Sequence, residues 1–225
     1  MASRAFICFV LDGQWKTAYY DGGGQPPQFG LDILRWLRVA TRDISGLRAD
    51  VQQVRLVDGS KPPSQADVER LRRHAGPNPR PGDWGDLLSL TAGNPARILE
   101  AGVMLDYNWF PADSLQAEWG YVVDLDGYGL FEVYQGFQTK SHQRGRFANL
   151  HENYGAVMVP GATYYPVALR AAWPLTALPD EPAFLAAAVP TDGEGSWSPE
   201  DLEELEQFMR DFFGRTGDAR RFETD

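Results

Sequence analysis

One stretch constrains the fold more than any other. Residues 116–137, QAEWGYVVDLDGYGLFEVYQGF, read as a β-hairpin with both arms and the turn legible. Gly120, Val122 and Asp124 share one side of the first arm, Tyr121, Val123 and Leu125 the other, in a run rich in β-branched and aromatic residues. Asp126 and Gly127 tolerate the positive φ of a tight turn, and 130–134 returns as the second arm. A second hairpin opens the chain: residues 4–11 are β-prone, Asp12 and Gly13 turn, and 15–20 returns. Two separated ribbons need covering, and the residues between and after them must do it.

The glycines and prolines of GGGQPPQFG at 22–30 deny that loop both helix and strand propensity. Leu31, Leu34 and Leu37, widened by Ile33 and Trp36, form the apolar stripe of a short helix. Between 42 and 102 several helices are expected. Ser64 and Asp67 make a capping box before Val68 and Leu71, Asp83 caps 84–90, and Asn94 with Pro95 starts a helix that Gly102 stops. Residues 142–155 are a polar loop with room for one helical turn, 164–173 is a strand whose Pro166 marks an edge or a start, and 181–188 is a short helix. The order predicts an α+β domain over 1–189: an antiparallel sheet built from two hairpins flanked by helices, in its finer form an αββα-like sandwich.

Residues 190–225 read as a linker, an amphipathic C-terminal helix and a charged tail packing on that domain. Ser198 caps, Pro199 takes the first turn, and Leu202, Leu205, Met209 and Phe212 repeat at helical spacing until Gly214. Such a stripe is core packing or a homo-oligomer contact through 198–213.

The net charge of −10 disfavours nucleic acid and anionic membranes as partners. No apolar run reaches the roughly 20 residues that cross a bilayer, and the N-terminus lacks the order of a signal peptide. Cys8 is the only cysteine, which excludes an intrachain disulfide and a cysteine-based zinc site. The expectation is a soluble, cytoplasmic, acidic protein with no metal and no cofactor.

Three stretches together resemble a family of uncharacterised proteins from bacteria and their phages. The first is Ser3 and Arg4 opening the first strand, followed by Gly24, Pro26 and Gly30, which fall on the glycine, the proline and the final glycine of the family's W-D-G-Y-P-x-x-x-G loop. Gly22, Gly23 and Gln25 stand where that loop has its tryptophan, aspartate and tyrosine. The second is EWGYVVDLD at 118–126 with FEVYQGF at 131–137. The third is Arg146-Phe147-Ala148 with Tyr165, Pro166, Val167 and Leu169, then Leu178-Pro179. The resemblance spans about 3–188 and implies no established activity.

Candidate site residues gather around the two ribbons. Arg4 needs a carboxylate, with Asp21, Glu118 and Asp124 as choices; its planar fork also suits an anionic ligand. The 22–30 loop lacks GxGxxG and the Gly-Lys-Ser/Thr of a P-loop, which leaves Gly24 and the flanking Tyr19, Tyr20 and Asp21 as ligand contacts. Glu118, Asp124 and Asp126 lie on one side of their strand, as acid–base or cation-holding groups do. His142, Arg144, Arg146 and His151 form a basic cluster, and Cys8 reads as an inert buried thiol. These residues predict a binding module for an unidentified small molecule or protein, with a polar cleft around Arg4, the 21–30 loop and the 118–126 strand. The alternative is a small amide or ester hydrolase or transferase of N-terminal-nucleophile architecture, for which Ser3 would have to be freed; an intact Met1 blocks it.

Overall fold

The computed structural model describes residues 3–77, 79–80, 82–127 and 129–189; the expected linker, helix and tail of 190–225 lie outside the described residues. In chain order the elements are β1 (Arg4–Leu11), β2 (Gln14–Asp21), α1 (Leu31–Ala40), α2 (Ile44–Gln53), β3 (Arg55–Val57), α3 (Gln65–Leu71), α4 (Trp84–Leu87), α5 (Pro95–Ala101) and β4 (Val103–Leu105). There follow β5 (Trp119–Asp124), β6 (Leu130–Gln135), α6 (His151–Tyr154), β7 (Val157–Val159), β8 (Ala162–Tyr164), β9 (Ala168–Pro174) and α7 (Glu181–Ala188). The class is α+β. No helix among the described residues is long and apolar enough to cross a membrane.

Both hairpins form where the turn chemistry places them. Asp12 and Gly13 adopt φ of +53° and +71°, the left-handed pair that a two-residue hairpin turn with the twist of its strands demands. The hairpins join through their first strands, giving the order β2-β1-β5-β6-β9. That central seam of β1 on β5 is parallel, and the other three pairings are antiparallel. A parallel seam needs a long crossover, and residues 22–118 with α1 to α5 supply it. The tips then lock: Asp126 Oδ1 and Oδ2 accept the N–H groups of Asp12 (2.7 Å) and Gly13 (2.9 Å).

The two faces of the sheet are covered differently. Ala5, Ile7, Phe9, Tyr121, Val123, Phe131 and Val133 pack on Ile33, Leu34, Leu37, Leu47, Val51 and Phe184 from α1, α2 and α7, forming the main core. The opposite alternation, Phe6, Cys8, Val10, Val122 and Tyr134, lies under loop residues, notably Phe110, Phe147 and Leu150. Loops thus cover the face that carries Arg4, Asp21, Glu118 and Asp124. The short parallel pair β3 and β4, absent from the sequence expectation, seats a satellite cluster of Leu71, Trp84 and Leu87.

Local signals account for the rest. The expected caps form at Ser64, Asp83 and Asn94. Lys16 Nζ donates to the carbonyls of Val51, Gln52 and Val54, closing the C-terminal end of α2. The 164–173 strand is divided by Pro166 into β8 and β9, and β9 carries a bulge opposite Val133 and Tyr134. Within the 22–30 loop, Pro26–Gly30 makes one wide helical turn that delivers Phe29 to the main core.

Candidate functional site

At the start of β1 the chain builds a brace around Arg4. Asp113 Oδ1 accepts the N–H groups of Leu115 (3.1 Å) and Gln116 (3.2 Å), and this turn presents the Leu115 carbonyl and the Gln116 side chain to the guanidinium. Glu118 completes the set: its Oε1 lies 3.4 Å from Arg4 Nε and 3.2 Å from the Arg4 backbone nitrogen. Burial raises the Asp113 pKa against those two N–H donors. The arginine is spent on its own protein, with side-chain exposures of 28% for Arg4 and 19% for Glu118. Asp21 is aligned with Arg4 across the hairpin and makes no ion pair among the described residues. Its charge acts on Tyr19, whose hydroxyl is pushed up to about 12, by burial first and by Asp21 second, with Arg4 pulling the other way.

The other end of the same face holds a tighter cluster. Arg146 donates from Nε to Glu132 Oε2 (2.8 Å), and from Nη2 to Glu132 Oε1 (2.8 Å) and Asp124 Oδ2 (2.6 Å). Tyr134 donates its hydroxyl to Glu132 at 3.0 Å and accepts the Arg146 N–H at 3.1 Å. Burial works against the guanidinium charge, yet the bonds to Glu132 and Asp124 hold its pKa above the ordinary value. Gly145, at φ +86°, lets this loop lie flat on the Tyr134 ring, where a Cβ would come within 2.6 Å. Cys8 lies beneath, fully buried, with burial lifting its thiol to about 12, so it supplies no thiolate.

The structure therefore divides the expected cleft. It brings Arg4, Asp21, Glu118 and the backbone of Gly24 together and leaves Asp124 and Tyr20 apart from them. Asp124 is level with Val10 while Glu118 stands at the start of β1, six residues away, or about 20 Å along a strand. Tyr20 points to the opposite face by alternation, packs at a tilt against Phe29 with centroids 4.4 Å apart, and donates to the Gly22 carbonyl. Gly24 is a strap: its N–H donates to Ser3 O (2.9 Å), its carbonyl accepts the Tyr121 hydroxyl (2.8 Å), and a Cβ would lie 2.4 Å from that of Ala5. Asp126 serves the hairpin tips. Among the described residues no group of three or more His, Cys, Asp or Glu side chains is placed to hold a metal.

An open site lies beside this region, at the outer edge of β2. Thr17 satisfies its outward backbone groups on Tyr107 N–H and Asn108 Oδ1. Two residues on, the strand passes a cavity of about 170 Å³ walled by Ala18, Tyr19, Leu88, Ile98, Met104 and Tyr107. The phenol rings of Tyr19 and Tyr107 sit 5.6 Å apart, and burial raises the hydroxyl pKa of both, so each stays neutral. Sequence reasoning missed this pocket and missed Glu132, although a carboxylate inside an alternating strand, on the Tyr134 side, marks a buried ion pair.

Fold and site together define an α+β protein with a mixed five-stranded sheet, one loop-covered face that carries two ion-pair clusters, and a mostly apolar cavity at the sheet edge. Compared with protein-family models, curated proteins and solved structures, the chain matches none.

Proposed function

We propose that this protein is a ligand-binding module whose ligand is a small molecule presenting one ring-sized apolar group to the Tyr19/Tyr107 pocket. The cavity carries the reading. Its volume is about 170 Å³ and its walls are mostly apolar side chains and two neutral phenols, with Ser89 and Thr91 also in the lining; an apolar protein cavity of about 150 Å³ takes benzene. Arg4 and Glu118, which the sequence offered as ligand contacts, support the site indirectly by fixing the start of β1. Asp21 lies two residues beyond Tyr19 on β2 and acts on its hydroxyl. The same proposal keeps the chain with the bacterial and phage proteins it resembles, and in the cytoplasm. Isothermal titration with p-cresol tests it. Saturable binding is expected, and Ala18→Leu, which fills the cavity from β2, should abolish it. Equal binding by that variant would refute the assignment.

A second reading, the hydrolase with Ser3 as nucleophile, has one observation in its favour: the Ser3 hydroxyl is buried and finds no hydrogen-bond partner among the described residues. An αββα sandwich would also require a second sheet layered on the first. The described residues give the five-stranded sheet helices on one face and loops on the other. Intact-mass measurement decides: loss of residues 1–2, or a Ser3 adduct with an electrophilic probe, would favour the enzyme.

A further inference from the structure

The segment that closes the cavity also borders a second concavity. Along 105–109 the side chains are shared out. Leu105 and Tyr107 wall the Tyr19/Tyr107 pocket, while Asp106, Asn108 and Trp109 line an open hollow of about 460 Å³ together with Val57, Asp58 and Tyr154. Because β3 and β4 run parallel with Val57 opposite Leu105, Asp58 and Asp106 each follow the C-terminal end of a strand, side by side. Trp109 and Tyr154 are 44% and 55% exposed, although large aromatic side chains elsewhere in the fold are mostly covered.

The two carboxylates differ. Asp58 is occupied by the Ser60 N–H (2.9 Å) and hydroxyl (2.7 Å), with Lys61 Nζ at 3.5 Å. Asp106 accepts only the Asn108 N–H, at 3.0 Å on Oδ1, and pairs with no cationic side chain among the described residues. Oδ2 is left for a partner. An uncommitted carboxylate in the same hollow as two exposed aromatic rings has the chemistry that attracts a soft, weakly hydrated cation: the rings offer their negative faces and the carboxylate the counter-charge. A bare divalent ion is a poor match, since calcium takes 6–8 oxygen ligands and aromatic walls supply none. The chain's net charge of −10 adds a long-range field of the right sign.

We infer that this hollow is a binding site for a small organic cation of the alkylammonium class, separate from the apolar pocket and independent of the function proposed for it. The methylated head fits between Trp109 and Tyr154, and the charge rests on Asp106. Titration of the full chain with choline chloride tests this against its neutral isostere, 3,3-dimethylbutan-1-ol. Choline should bind saturably, and the isostere about tenfold more weakly or less. Trp109→Ala and Asp106→Asn should each weaken choline by about tenfold, the asparagine retaining the bond from Asn108. Tyr154→Ala, at the more exposed ring, gives the same readout should Trp109→Ala perturb folding. Four results would overturn the inference: no saturable choline binding, equal affinity for the isostere, indifference to loss of both rings, or displacement of choline by calcium chloride with the rings irrelevant. Binding of p-cresol should be unchanged by Asp106→Asn, which separates the two sites.

Discussion

The two ends of the loop-covered face use the same chemistry to different effect. At one end Arg4 meets a single carboxylate, a glutamine and a carbonyl, and both ion-pair partners keep some contact with water. At the other, Arg146 is gripped by two carboxylates, with Glu132 at 8% side-chain exposure, and Tyr134 ties the set to the sheet. The first cluster orders the start of β1; the second pins the 142–150 loop onto the sheet. Burial and the number of carboxylates grade the difference, because the more exposed a pair the less it contributes, whereas removing the cation from two largely covered carboxylates strands their charge.

The largest expected effect follows from that contrast. Arg146→Ala should lower unfolding free energy by about 3–5 kcal/mol, and Arg146→Lys should recover only part, since a point charge cannot replace the fork that spans Glu132 and Asp124. A loss below about 1 kcal/mol in urea unfolding would erase the distinction between the ends. Next comes a backbone contact at the Arg4 end. Gly24→Ala forces a Cβ to 2.4 Å from that of Ala5, beside backbone that cannot retreat. It should cost about 1–3 kcal/mol. Arg4→Ala should cost about 1 kcal/mol or less, and less again at high salt. If Arg4→Ala proves worse than Gly24→Ala, the brace is stronger than its exposure implies.

The smallest effect is in acid. The N–H groups of Gly13 and then Asp12 hold the Asp126 pKa below its ordinary 3.8. A depressed carboxylate stabilises the fold fully above that value, and the contribution is lost as pH falls through the folded-state pKa. Stability plotted against pH below 4 should therefore fall less steeply in Asp126→Asn than in the parent. Identical slopes would mean that the tip contact between the hairpins is not held in solution.

How much of this was legible depended on how local the signal was. Both hairpins and the caps at Ser64, Asp83 and Asn94 could be read because each is written within a few consecutive residues. The parallel seam could not, since nothing in 4–11 or 118–124 states that the two first strands align. β3 and β4, at three residues each, are too short to show an alternation. Arg146 was visible only as one member of a basic loop, and its partners lie 14 and 22 positions away. The cavity was beyond reach because four separated segments assemble it. The stretches around 3–30, 118–137 and 146–148 teach a related lesson. Arg4, Gly24, Glu118, Asp124, Glu132 and Arg146 all belong to them, and in the structure each holds the fold together. Motif residues marked the braces, and the open surface lies beside them.

The most direct test of that division is methyl NMR on protein labelled at methionine, titrated with p-cresol. Met104 lines the cavity, while Met158 stands 80% exposed on the hairpin of β7 and β8 and serves as the internal control. The account predicts a saturable shift of the Met104 methyl, a still Met158, and no Met104 response in Ala18→Leu. A silent Met104, or a shift that survives the filled cavity, would contradict it.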